Sequence, residues 1–287
     1  MFERFQSRTI DVCGATIHSL VGGGVGEPLL LLHGYPQTHV MWHGIADELA
    51  KTFQVVASDL RGYGDSLAHD GNFTFRAMAR DQVELMKSLG FERFHVVAHD
   101  RGARTAHRMA LDHPETVSSL VLMDILPTLD VWRTMDSWLA LRYYHWLFLA
   151  QPGGLPENLI NRDPISFLHS ALSGMAVGDD IFDSCALEKY EDAARRPEVV
   201  AAWCGDYRAA ATIDREHDHQ DEGRTNDIPC LVLWGKKGVV AHHLNPLDAW
   251  RKWFPNARGK EVDTGHFLVE EKPDWVLKEI LTHLEAV

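Results

Sequence analysis

Asp100 sits in the segment VVAHDRGAR, residues 96–104, between an apolar run and the start of a helical pattern. Ala98 and Gly102 stand two residues before and two after it. That is the pattern of a nucleophile elbow, a sharp strand-to-helix turn that lifts one side chain clear of a sheet. An aspartate ahead of a helix also serves as a turn or N-cap residue. Strand, small neighbours and helix together favour the nucleophile. Most such elbows carry serine. A serine displacing a leaving group from saturated carbon would be left as an ether, whereas a carboxylate becomes an ester that water can cleave. Asp100 therefore predicts substitution at carbon rather than acyl transfer.

An ester intermediate needs a base to activate water. His266, in the segment DTGHF at residues 263–267, falls between the last strand and the last helix, after the nucleophile in the chain, as a triad base does. The base needs an orienting carboxylate. The usual place, the loop after the strand at 230–234, reads GKKGVV and offers no acid. Asp124, which ends the strand at 119–123, is the alternative. It reads equally well as a strand-end turn residue, and the missing rival acid favours the orienting role. The loop after another apolar strand reads HGYP, residues 33–36. The backbone N–H of Tyr35, with that of Arg101, is expected to stabilise the tetrahedral oxyanion. The run DLRGYGDS, residues 59–66, reads as a structural glycine turn.

These residues need a sheet to carry them. Short apolar runs predict strands at 9–12, 16–21, 29–32, 54–58, 94–98, 119–123, 230–234 and 260–262. Helical patterns lie between several of them, notably 74–89, 102–111 and 273–284. Alternation of this kind after an initial hairpin predicts an α/β protein, a mostly parallel sheet with helices on both faces. The rhythm breaks between residues 127 and 227, where helical stretches at 131–150, 164–173, 186–194 and 197–211 follow one another. An inserted helical cap is expected there, on a core formed by residues 1–126 and 228–287. The polar run 214–227 reads as the return from cap to core.

Bulk composition narrows the function. The 287 residues are 45% hydrophobic and 24% charged, with a formal net charge of −13. So acidic a chain carries no electrostatic footprint for nucleic acid or an anionic membrane. It also repels small anions, which bind only where arginines concentrate locally. Cys13, Cys185, Cys204 and Cys230 form no C-x-x-C pair, which suits a reducing cytoplasm and argues against structural zinc. The first twenty residues lack a signal-peptide apolar stretch, and no run reaches the roughly 18 apolar residues of a membrane span. A cytoplasmic location is expected. The histidines of EHDH at 216–219 and of His242-His243 read as solvated loops rather than metal ligands.

Taken together, HGYP at 33–36, DLRGYGDS at 59–66, HDRGAR at 99–104 and GHF at 265–267 resemble the haloacetate dehalogenases of the α/β-hydrolase superfamily, fluoroacetate dehalogenases included. The cap segments YHW at 144–146 and DYRAA at 206–210 extend the resemblance through nearly the whole chain. HGxP and GHF are widespread in that superfamily, while HDRGxR with the two cap segments is more specific. The resemblance implies the α/β-hydrolase fold and a small anionic haloacid substrate. It implies that Arg101 and Arg104 clamp the substrate carboxylate, a role that guanidinium geometry suits. On residue pattern alone the pair reads also as ordinary surface ion pairs, Arg104 more readily than Arg101. The resemblance further implies a halide pocket of His145, Trp146 and Tyr207, all hydrogen-bond donors. It implies no metal or organic cofactor and, by family precedent, a homodimer. Ala103 stands where many relatives have glycine. An epoxide hydrolase, with the same aspartate and base, is the alternative, but such enzymes usually carry tryptophan after the nucleophile and have no use for a carboxylate clamp.

Overall fold

The computed structural model describes residues 1–178 and 180–287. Nine strands form one sheet: β1 (Phe5–Val12), β2 (Ala15–Gly22), β3 (Pro28–Leu32), β4 (Gln54–Ser58), β5 (Leu67–Ala68), β6 (Phe94–His99), β7 (Val117–Met123), β8 (Cys230–Gly235) and β9 (Arg258–Val262). The order is β1-β2-β4-β3-β6-β7-β8-β9, with β5 pairing β2 off this path. The pairs from β4 through β9 are parallel, and β2 is antiparallel to β1, β4 and β5. The strands that carry the site are continuous apolar runs because both faces are covered. Every residue of β6 is buried, and so is Leu29–Leu32 of β3. At the sheet edge β1 leaves five of its eight residues exposed.

Helices pack on this sheet. In the first half they are α1 (Ala46–Leu49), α2 (Phe75–Ser88) and α3 (Asp100–Asp112). Between β7 and β8 the chain is helical: α4 (Thr128–Arg133), α5 (Ser137–Arg142), α6 (Tyr144–Leu149), α7 (Leu155–Ile160), α8 (Pro164–Met175), α9 (Ser184–Ala194), α10 (Pro197–Ala211) and α11 (Ile213–Gln220). The sheet then resumes, with α12 (Val239–His243) and α13 (Pro246–Trp250) before β9 and α14 (Leu268–Glu271) and α15 (Pro273–Leu284) after it.

Two expectations about elements need correction. Residues 131–150 form no single helix. Asp136 caps α5 by accepting from the Leu139 amide, and the chain turns again at Tyr143, so α4, α5 and α6 are separate. Part of the polar run 214–227 is helix rather than loop. Its inward face is acidic: Asp214 accepts from the Phe75 amide and Asp218 from Arg108, so α11 carries no apolar stripe to signal it. His217 and His219 of the EHDH stretch therefore sit on a helix, and His243, on α12, bonds Thr134. No helix among the described residues is long and apolar enough to cross a membrane. All four cysteines are free.

Candidate active site

Asp100 opens α3 at a backbone φ of +45°, in the left-handed region that costs a non-glycine residue energy. The turn works because α3 lies almost on β3. A Cβ placed on Gly102 would sit 2.4 Å from the His33 carbonyl oxygen and 2.6 Å from that of Leu32. That approach explains the small residue two after Asp100. Asp124, directly after β7, also has positive φ, +49°.

The three expected triad residues meet. His266 Nδ1 lies 2.6 Å from Asp124 Oδ2, and its Nε2 lies 3.9 Å from Asp100 Oδ2. Asp124 is fixed through its other oxygen, which accepts from the Gly235 amide at 2.9 Å. The loop that lacks an acid thus supplies a donor. The Tyr35 amide donates to Asp100 Oδ1 at 2.9 Å, and the Arg101 amide lies in the first turn of α3. Asp100 is 6% exposed and His266 8%, so only a small molecule reaches them without rearrangement. Burial pushes the Asp100 carboxyl up, but His266, His99, Arg101 and Arg104 outweigh it and hold it at about 2. Burial pulls His266 down, yet the Asp124 bond and the charges of Asp124 and Asp100 leave its pKa raised.

The two arginines differ from each other, and not as their sequence context suggests. Neither is a surface group. Arg101, fully buried, is bidentate with buried Asp206 on α10, through Nε at 2.8 Å and through Nη2, and Nη2 also reaches the Asp206 carbonyl. Its guanidinium lies 4.2 Å over the Tyr207 ring, and Nη1 is buried without a partner. Arg104 is 2% exposed and donates Nη1 to the Leu126 carbonyl at 2.8 Å and to Thr128 at 3.0 Å. Among the described residues it has no carboxylate partner, and its Nε is buried unbonded. Burial and Arg101 lower its pKa, from a starting value high enough to keep it charged. Arg104 is the uncompensated cation of the site.

The three cap residues converge over the same point. His145 stacks on Tyr35 at 5.8 Å and meets Tyr207 edge-on at 5.6 Å. The Trp146 ring lies 5.9 Å from Tyr207 and carries the Arg104 guanidinium at 4.6 Å. Burial pushes His145 down to about 3, so it is neutral at ordinary pH. In the described structure none of the three commits a side-chain donor to protein.

Sequence reading missed several members. Asp206 precedes Tyr207 on the buried face of α10, where it is the one charged residue among Val199, Val200, Trp203 and Cys204, and an acid on such a face is itself a sign of a buried cation nearby. Tyr63, from the DLRGYGDS turn, donates to Asp206 Oδ2 at 2.7 Å. His99, buried and pushed down to about 3 by burial first and His266 second, lies with Nε2 2.8 Å from the His266 carbonyl oxygen. One group among the described residues, His18, His39 and Asp59, has donor atoms close enough to share a metal ion. Its carboxylate is already surrounded, by the His39 amide at 2.8 Å, His39 Nδ1 at 2.9 Å, the Asp65 amide at 2.9 Å and His18 Nδ1 at 3.3 Å. That bonding suits a turn-holding hub better than a metal centre.

The family model described as alpha/beta hydrolase fold matches residues 27–273. The chain is 46% identical to a fluoroacetate dehalogenase from Burkholderia sp, over 98% of this chain and 95% of the relative. It is 32% identical to a soluble epoxide hydrolase from Corynebacterium sp. (strain C12), over 91% of each. A solved structure from Nostoc sp PCC 7120, described as an alpha/beta hydrolase, superposes with a TM-score of 0.96 at 48% identity and covers 99% of both chains. With a matched core, a shared sheet and near full-length identity, the chain belongs to the alpha/beta hydrolase fold family, in the branch that holds the fluoroacetate dehalogenase.

Proposed function

We propose that this chain hydrolyses small 2-haloacids, fluoroacetate and chloroacetate among them, through an ester on Asp100. The observation that carries the reading is Arg104, a buried guanidinium with no acidic partner among the described residues, in the field of a buried carboxylate. A carboxylate-bearing substrate supplies the missing charge. The 46% identity to a protein named fluoroacetate dehalogenase supports the same substrate class.

Tyr35 holds Oδ1, so Oδ2 is the oxygen free to attack. Arg104 and the free Nη1 of Arg101 hold the substrate carboxylate. Asp100 Oδ2 bonds to the carbon bearing halogen, and the carbon–halogen electron pair leaves as halide toward His145, Trp146 and Tyr207. Fluoride concentrates its charge on one small atom, and a single well-aimed donor to developing charge contributes about 3–4 kcal/mol. In the second step His266 Nε2 takes a proton from water, whose oxygen attacks Asp100 Cγ. The oxyanion forms on Oδ1, at the amides of Tyr35 and Arg101. Collapse breaks the Cγ–Oδ2 bond: Oδ2 departs as the hydroxyl oxygen of the 2-hydroxy acid, which takes its proton from His266, and water's oxygen stays on Asp100 as the new carboxylate oxygen.

The test is halide release from fluoroacetate and chloroacetate, with a simple epoxide assayed beside them. Fluoride release supports the clamp, the nucleophile and the halide pocket together. Chloride alone keeps the mechanism and removes the pocket. Diol from the epoxide with no halide makes the chain an epoxide hydrolase, the activity named for its 32% relative. The reading includes a cytoplasmic homodimer. Exposed Leu141, Tyr144, Leu147, Leu155 and Leu159, all on α5 to α7, offer apolar surface for such a contact, and sedimentation gives the assembly state.

A further inference from the structure

The loop that carries His266 is gripped from outside the triad. Glu271, at the end of α14, accepts from the Gly265 amide through Oε2 at 2.7 Å and from the Phe267 amide through Oε1 at 3.2 Å. Those are the residues on either side of His266, and both are buried. The His266 amide itself donates to the carbonyl of Met175, the last residue of α8 in the cap, at 3.0 Å. Space around the loop is fully used: a Cβ on Gly265 would lie 2.7 Å from that Met175 oxygen and 3.0 Å from Glu271 Oε1.

We propose that Glu271 is a positioning residue for His266, holding the base for hydrolysis of the ester and tying its loop to the cap. The proposal rests on the two-step reading above. His266 bonds tightly to Asp124 at 2.6 Å, whereas its Nε2 stands 3.9 Å from Asp100 Oδ2. The ring is held at one end and must be aimed at the other. Without Glu271, the amides of residues 265 and 267 lose their acceptor, and only the bonds of His266's own backbone to Met175 and His99 remain to set the aim of the ring about the Asp124 bond. A misplacement near 1 Å costs a catalytic step about 10²-fold. Formation of the ester uses Asp100, the arginines and the halide donors and needs no proton moved by His266. Loss of Glu271 therefore falls on the second step alone.

The experiment follows chloroacetate with wild type, Glu271→Leu, Glu271→Gln and His266→Gln, measuring chloride in the first turnover and the mass of the intact protein. His266→Gln is expected to release one chloride per active site and retain the ester. Glu271→Leu is expected to show the same first release, an ester that hydrolyses about 10²-fold more slowly than in wild type, and detectable adduct. Glu271→Gln, which keeps one acceptor oxygen, is expected to fall between wild type and Glu271→Leu, and it carries the test if the leucine variant does not fold. The negative charge of Glu271 also favours protonated His266. Its removal is expected to move the acid limb of ester hydrolysis to lower pH, a shift that loosened packing alone does not give. If His266→Gln holds the ester while both folded Glu271 variants turn over like wild type, the positioning role is wrong and the two-step reading stands. If His266→Gln holds no ester, the two-step reading fails and takes this role with it.

Discussion

Arg101 and Arg104 lie three residues apart on one helix, both buried and both facing the same carboxylate, yet their energetics separate. Arg101 compensates Asp206, which is fully buried and, among the described residues, has its carboxylate otherwise bonded only to Tyr63. Arg101→Gln leaves a buried charge unpaired, and breaking such a pair costs about 3–5 kcal/mol of stability. Arg104→Gln removes no ion pair and loses two hydrogen bonds to Leu126 and Thr128, about 1–2 kcal/mol. Its loss is expected in function. Truncating one side of a desolvated charge pair costs about 2–5 kcal/mol, so kcat/KM for chloroacetate falls by about 30-fold to several thousand-fold. Urea denaturation beside steady-state kinetics separates the two variants, and equal damage to stability in both would remove the distinction. None of this was legible in the sequence. Spacing placed Asp100, Asp124 and His266 at strand ends that the fold brings together, because each follows a buried strand of one sheet. Arg104 read as the more ordinary arginine because its lack of a partner is a fact about α10 and the end of β7, which no local pattern carries.

At the scale of elements, cap and core are joined by a buried carboxyl. Tyr190 on α9 donates to Glu270 Oε1 on α14 at 2.5 Å, Gln37 reaches the same hydroxyl at 3.3 Å, and Glu270 Oε2 is buried without a partner. Burial pushes the Glu270 carboxyl up to about 8, from an ordinary 4.5. A carboxyl raised in the fold binds its proton more tightly there than in the unfolded chain. Stability from it is complete below the ordinary value and is lost as pH rises toward about 8. Glu270→Gln does not titrate, so its stability relative to wild type is expected to rise across that window, by on the order of a few kcal/mol, and to level off above it. Parallel pH–stability curves for the two proteins would show Glu270 already ionised in the fold. The latch was invisible in the sequence for the reason that hid α11: its polar groups point inward. Where burial follows apolar pattern the elements read well, as with β4 and α15, which match their expected limits. Two-residue β5 and short α7 offer too few residues for a period to show.

The whole molecule sets a problem for its own substrate. A chain of net charge −13 repels a haloacid anion at long range, while Arg101 and Arg104 attract it only once it is inside. These two effects respond differently to salt. The Debye length shrinks from about 30 Å at 0.01 M to about 8 Å at 0.15 M, which removes most of the repulsion between a surface charge and an approaching ion. Buried groups are screened far less, because little ionic atmosphere reaches them. Raising ionic strength across that range is therefore expected to raise kcat/KM for chloroacetate a few-fold while leaving kcat unchanged, since kcat begins from substrate already seated. A fall instead would mean that the field of the two arginines projects beyond the mouth and outweighs the acidic surface. Sulfate or chloride competing for the arginines would also lower the value, but it would do so as simple competitive inhibition that a high substrate concentration abolishes. The sign of the salt effect thus decides whether capture of the anion is the work of the whole protein's field or of two buried side chains.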